Sequence, residues 1–223
     1  MTMTKAELFA HPNYWMLAYS EADKAWLTKH GYPSLEEEAM LSGASMETLQ
    51  SLVDAGNANA GVHLAARFAR NALSTGDARQ FFAARREFER ALFEGGAYQA
   101  AKTIAFFAEL ANNRKAYGEL DADTLKGLET HLLSSYSIAR GLSAAYGDYG
   151  AEYLGNGPYS QDIGRLFGLP PAKSDIPFEQ AMQRFSNINA LRVRRGLPPF
   201  DLERRPGESS GLGFKPTYTV YAW

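Results

Sequence analysis

Apolar residues along this chain recur at intervals of three and four positions, and the polar punctuation between the runs is that of helices. Ser20-Glu21-Ala22-Asp23 opens a predicted helix that passes through Trp26 and Leu27 and stops at Gly31, with Pro33 just beyond. Ser34-Leu35-Glu36-Glu37 is a capping-box pattern, in which the serine accepts from a first-turn amide while Glu37 reaches back. That short helix ends near Ser42 and Gly43. Ser45 caps the next, which carries Leu49, Leu52 and Val53 on one stripe and stops at Gly56.

Asn57 to Ser74 keeps an apolar face through Val62, Ala65, Ala66, Ala69 and Leu73, widened by Leu64 and Phe68, and Gly76 ends it. Asp77 is placed to cap a helix from Ala78 to Phe93. Its Phe81, Phe82, Phe88, Leu92 and Phe93 are expected to face inward, and Arg79, Arg85, Arg86, Glu89 and Arg90 to face water. Gly95-Gly96 breaks the chain before a helix from Ala97 to Leu110. Asp121 can cap a long helix from Ala122 towards Tyr146, with Leu125, Leu128, Leu132, Ile138 and Leu142 on its stripe. From Gly147 to Pro171 glycine, proline and tyrosine dominate, which reads as loops. Phe178 to Arg195 predicts one more helix. Thr217 to Trp223 is the one strand candidate, and it could equally be an extended segment packed on helices.

The helices carry a repeat. Gly56-Asn57-Ala58-Asn59-Ala60 and Gly96-Ala97-Tyr98-Gln99-Ala100 stand forty positions apart, and the same offset pairs Leu64 with Ile104 and Ala65 with Ala105. Alanine at such positions lets antiparallel helices approach, while glycine is expected to supply a left-handed turn between them. A helix ending in Ala-x-x-Gly, followed by x-Ala-x-Ala-x-x-x-Leu-small, resembles the Sel-like repeat, a relative of the tetratricopeptide repeat. Asp77 to Ala91 looks like that family's first helix. Ala65 and Ala105 stand where the family has glycine, and Phe88 can fill its aromatic slot. The resemblance covers about residues 45–110, extends loosely over 121–146 and leaves out the last seventy or so.

The expected architecture is all-α: stacked antiparallel helical hairpins, a short solenoid. Capping helices occupy residues 1–44, the repeats 45–146, and an irregular C-terminal region with one helix and an extended tail 147–223. Such arrays bind proteins or peptides along a concave face. The competing architecture is a closed α-bundle that only looks repetitive.

Composition narrows the function classes. The chain has 223 residues, 45% of them hydrophobic and 22% charged, which is ordinary globular usage and excludes global disorder. It has no cysteine, so neither a disulfide framework nor a thiolate metal site is available. A net charge of −2 argues against a dedicated nucleic-acid binder. No run approaches the apolar length of a membrane span. The first ten residues lack a secretory h-region, so the protein is expected to be cytoplasmic, or periplasmic if a signal has been removed.

Motifs for catalysis are thin. His11, His30, His63 and His131 include no pair at metal-binding spacing, so no metal and no cofactor is expected. His30, just before a helix-stop glycine, suits the helix dipole and can bond carbonyls. Gly207-Glu208-Ser209-Ser210-Gly211 fits the nucleophile-elbow spacing, but Arg204-Arg205-Pro206 before it is not a buried strand. Asp121-Ala122-Asp123 begins like a calcium loop and then places Leu125 and Lys126 where an oxygen ligand and glycine belong. Gly155-Asn156-Gly157-Pro158 follows no strand and precedes no Gly-Lys-Ser/Thr, as a phosphate loop would. Glu36, Glu37 and Glu38 form an acidic first turn that favours the dipole.

Surface chemistry is richer. Tyr149, Tyr153 and Tyr159 cluster in the glycine-rich stretch and offer large contact area at low entropic cost. Arg192, Arg194 and Arg195 sit at a helix C-terminus, where they suit the dipole and can also dock an acidic partner. These six are the candidate binding residues. The expected function is non-catalytic binding of a protein partner. The family resemblance implies bacterial envelope adaptors and, more specifically, immunity proteins that neutralise a toxin. The alternatives are a hydrolase using Ser209 or a carboxylate pair that no motif reveals, and nucleic-acid binding through the C-terminal arginines.

Overall fold

The computed structural model describes residues 2–4, 7, 16–96, 98–99, 102–103, 106, 178–201, 203, 206 and 217–219. Over these the chain is all-α apart from one short strand pair. In order come β1 (Thr2–Thr4), α1 (Glu21–Lys29), α2 (Leu35–Gly43), α3 (Met46–Asp54), α4 (Ala58–Thr75), α5 (Ala78–Glu94), α6 (Phe178–Arg194) and β2 (Thr217–Thr219). Tyr98, Gln99, Lys102, Thr103 and Phe106 are helical too and follow α5 after the Gly95-Gly96 break.

Caps explain the starts. Ser20, Ser34 and Ser45 each accept from the backbone N–H three residues on, and Asp77 accepts from Arg79 N–H at 2.9 Å. Asn57 does the same for α4, accepting from Ala60 N–H at 2.9 Å. One half of the expected capping box is otherwise engaged: the Glu37 carboxylate accepts from Asn57 Nδ2 at 3.4 Å and so ties α2 to the start of α4.

α4 and α5 form an antiparallel hairpin across the Gly76-Asp77 link, and α3 lies against α4. The close approach depends on small residues. A Cβ at Gly61 would stand 3.6 Å from that of Ala91, and Ala60, Ala65, Ala69, Ala72 and Ala84 are buried along the same faces. Leu41, Leu49, Val53, Ala60 and Leu64 form the core where α2, α3 and α4 meet, with Met46, Leu52 and Phe68 packed on it. Phe88 is buried with its ring 5.3 Å from that of Phe106. Phe82, expected inside, is 66% exposed among the described residues.

Two features differ from the sequence-based expectation. Of the tail, Thr217–Thr219 are a strand, and its partner, which the sequence did not suggest, is Thr2–Thr4, paired antiparallel; residues 220–223 lie outside the described residues. The two glycine breaks also differ. Gly56 is left-handed (φ +88°), whereas Gly95, which caps α5, has φ −87°, and Gly96 is not left-handed either. The helices that follow the breaks are nevertheless neighbours. Gln99 Nε2 donates to Asn59 Oδ1 at 2.7 Å, a bond between residues forty apart, and Arg70 lies over the Phe106 ring. The helical residues from Tyr98 to Phe106 therefore follow α4 in the same direction.

Candidate functional site

Four helix ends converge on one groove of about 490 Å³. Lys29, His30 and Gly31 at the end of α1 form one side, and Asn57, Ala58 and Asn59 at the start of α4 form another. Glu94, Gly95, Gly96 and Gln99 close it at the end of α5, and Arg192 with Pro198 to Asp201 close it from beyond α6. A helix N-terminus offers amide N–H groups and a C-terminus offers carbonyls, so each end must be completed by something. Here the side chains do part of that work. His30 Nδ1 is 2.8 Å from Trp26 O, and Gln99 Oε1 accepts from Gly96 N–H at 2.7 Å.

Arg192 completes the end of α5. It is buried, and its guanidinium donates to Phe93 O, to Gly95 O at 3.0 Å and to Pro198 O at 3.1 Å. Phe200 lies beneath it at 4.1 Å and stacks on Phe185. Burial lowers the Arg192 guanidinium from its ordinary range. Two other arginines act alike: Arg67 donates to Ser42 O at 2.7 Å and Arg90 to Val53 O at 3.3 Å, completing the ends of α2 and α3. Of the predicted binding residues, Arg192 is thus committed to carbonyls, Arg194 is exposed, and Arg195 is exposed with its guanidinium 4.5 Å from the Phe93 ring. Tyr149, Tyr153 and Tyr159 lie outside the described residues, as do His11, His131 and Ser209.

A second polar cluster lies beneath the hairpins. Glu38 of α2 is only 3% exposed, and it accepts from Tyr98 Oη at 2.5 Å, Ser42 Oγ at 3.2 Å and Lys102 Nζ. His63 Nε2 is 2.9 Å from Tyr98 Oη and 3.3 Å from Glu38 Oε2. Burial pushes the Glu38 carboxyl up, but the His63 hydrogen bond and the Lys102 charge outweigh it and hold the group down at about 2. Burial, with the Glu38 charge beside it, drives the Tyr98 hydroxyl far above its usual range. The cluster joins α2, α4 and the Tyr98 helix, and its donors and acceptors are spent on each other. Its chemistry is that of a structural tie.

Sequence reasoning passed over this tie because Glu38 stood in an acidic first turn. The available signal was spacing: Glu38 falls midway between Leu35 and Leu41, at core-facing intervals of three.

At the groove rim the fold assembles a group that no sequence spacing shows. A ring nitrogen of His30, a carboxylate oxygen of Asp201 and one of Glu203 all lie within 4.8 Å of one another. Lys29 Nζ pairs with both carboxylates, 3.0 Å from Asp201 Oδ2. Its bonds to Glu203 and then Asp201 raise the Lys29 ammonium from its ordinary value. The Glu203 N–H, donating at 2.9 Å, and then Lys29 hold the Asp201 carboxyl down.

Compared with models of protein families, with curated proteins and with solved structures, the chain matches none. Among the described residues no helix is long and apolar enough to cross a membrane.

Proposed function

We propose that this chain is a non-catalytic protein-binding module, a short array of Sel-like helical hairpins that takes an extended segment of a partner protein into the groove between the four helix ends. The observation that carries the reading is the lining. Asn57, Asn59 and Gln99 place three side-chain amides around one cleft. Each amide has two N–H donors and two lone pairs, so beyond the bonds to Ala60, Glu37, Gly96 and one another they keep capacity to donate to and accept from a peptide group. The cleft volume falls in the range of specific ligand sites. Lys29 and Glu94 put opposite charges on its margins, which suits orientation of a bound chain. The buried Glu38–His63–Tyr98–Lys102 cluster supports the same reading, since it spends its acid and base groups on holding helices. A bacterial adaptor, or an immunity protein that captures a toxin, is the specific form the family resemblance implies.

Filling the cleft tests this. Peptides are selected from a displayed random library on the intact chain and then measured against Ala58→Trp, which places an indole at the half-buried start of α4 that lines the cleft. Selected peptides should lose most of their affinity for the variant while its circular dichroism and melting temperature stay near those of the parent. Peptides that bind both equally would place recognition elsewhere and sink the proposal.

A further inference from the structure

We infer that His30, Asp201 and Glu203 form a binding site for a divalent transition metal of the zinc type, held in its metal-free state by the Lys29 ammonium. The donor set carries the inference first. The Trp26 carbonyl can only accept, so His30 Nδ1, 2.8 Å away, is a nitrogen that carries hydrogen, and Nε2 is the nitrogen that faces the carboxylates and would bind a metal through its lone pair. A carbonyl-bound Nδ1–H with Nε2 as ligand is the usual arrangement of a metal-binding histidine. His30 Nε2 stands 3.5 Å from Asp201 Oδ2. Tetrahedral zinc with bonds of about 2.0 Å sets neighbouring ligands about 3.3 Å apart, so this pair already spans one edge of the polyhedron.

The surroundings hold the three groups in place. The His30 ring stacks on Trp26 at 3.9 Å and is buried. Trp26 Nε1 donates to Glu203 O at 3.1 Å, which fixes the Glu203 backbone beside α1. Glu203 N–H in turn holds Asp201 Oδ1 at 2.9 Å, leaving Oδ2 towards His30 and Lys29. Glu203 reaches in from an exposed side chain and can close the remaining distance by rotation.

Lys29 is the competitor. Its ammonium sits between the two carboxylates, where a cation of higher charge would sit, and its side chain is more than half exposed. Exposed ion pairs contribute little, so the lysine can swing into water at small cost. One imidazole nitrogen and two carboxylates suit zinc, whereas calcium takes six to eight oxygens and magnesium an octahedron of them. Because His30 and Asp201 also border the groove, a fourth ligand position would open towards it. The inference does not depend on whether the groove holds a peptide.

The test is zinc chloride titrated into the metal-free full chain, followed by calorimetry and by tryptophan fluorescence. One zinc per chain is expected, with a change in emission as the ring stacked on Trp26 is metallated. Glu203→Gln and Asp201→Asn should each weaken binding at least about tenfold. Both carboxylates are exposed, so neither change threatens folding. Lys29→Met should tighten binding, and excess magnesium or calcium should leave it unchanged. Zinc held equally by the doubly substituted Asp201→Asn, Glu203→Gln chain would assign it to other histidines and overturn the site. Absence of binding by Lys29→Met, or weaker binding than the parent shows, would overturn it as well.

Discussion

The chain leaves α3 at Gly56 and α5 at Gly95 after closely similar sequences, and the two exits are built differently. At Gly56 the backbone closes on itself. The Gly56 and Asn57 amides return to Val53 O and Leu52 O at 3.0 and 2.9 Å, a Schellman closure that needs one left-handed residue. Arg90 adds a single contact to Val53 O. At Gly95, among the described residues, one local amide returns, to Ala91 O. Phe93 O and Gly95 O are taken by Arg192, ninety-seven positions from Gly95. A glycine at a helix end therefore marks that the helix stops, while the partner that completes the stop is chosen by the tertiary fold.

The tie that holds the helices after these two exits together should be the most damaging to cut. Glu38 receives groups from α4 and from the Tyr98 helix at once. Glu38→Ala leaves Lys102 and Tyr98 facing a hole and should cost about 3 to 5 kcal/mol in urea unfolding, the usual penalty for one missing partner of a buried ion pair. The same residue should make stability fall in acid. Its folded-state value of about 2 lies below the ordinary 4.5, so its stabilisation is complete above pH 4.5 and is lost as pH falls towards 2. A displacement of this size corresponds to about 3 kcal/mol. Stability measured from pH 6 down to pH 2.5 should decline more steeply in the parent than in Glu38→Gln. Parallel curves would mean that Glu38 carries no such charge-dependent contribution.

Next in size is the non-local exit itself. Arg192→Met keeps much of the apolar stem above Phe200 but leaves Phe93 O and Gly95 O without their donor, at about 2 to 3 kcal/mol for buried groups that lose a charged partner. Amide exchange at the start of the Tyr98 helix should quicken in this variant while exchange in α3 does not. Equal acceleration in both would show that Arg192 supports the whole fold and has no special part in ending α5.

How far the sequence spoke follows the same division between local and distant. The starts of α1, α2, α3 and α5 were legible because Ser20, Ser34, Ser45 and Asp77 act on amides two or three residues away. β1 was illegible because three residues carry no period, and it pairs with residues at the other end of the chain. The groove was illegible for a related reason, since its walls come from four separated helix ends. Arg192 was visible as a basic residue at a helix end, which is true, but its partners belong to α5. The forty-residue offset did carry tertiary information, because Asn59 and Gln99 touch.

The smallest effects give the sharpest test of the two exits, through the order of two substitutions at each. At Gly56 nothing lies within 4 Å of an added Cβ, so the only penalty is the left-handed backbone. Gly56→Ala should cost about 1 kcal/mol, and Gly56→Asn less, since asparagine tolerates that region best among residues with a side chain. At Gly95 the backbone is not left-handed, and an added Cβ would stand 2.5 Å from Ala91 O and 2.3 Å from Gln99 Cδ. Gln99 can move, but Ala91 O belongs to the α5 backbone. Gly95→Ala should therefore cost about 2 kcal/mol as an overpacked contact, and the larger Gly95→Asn more still. Melting temperatures of the four variants should show asparagine better than alanine at Gly56 and worse at Gly95. The same order at both positions would mean that the two glycines do one job, and the contrast between a locally and a distantly completed helix end would fail.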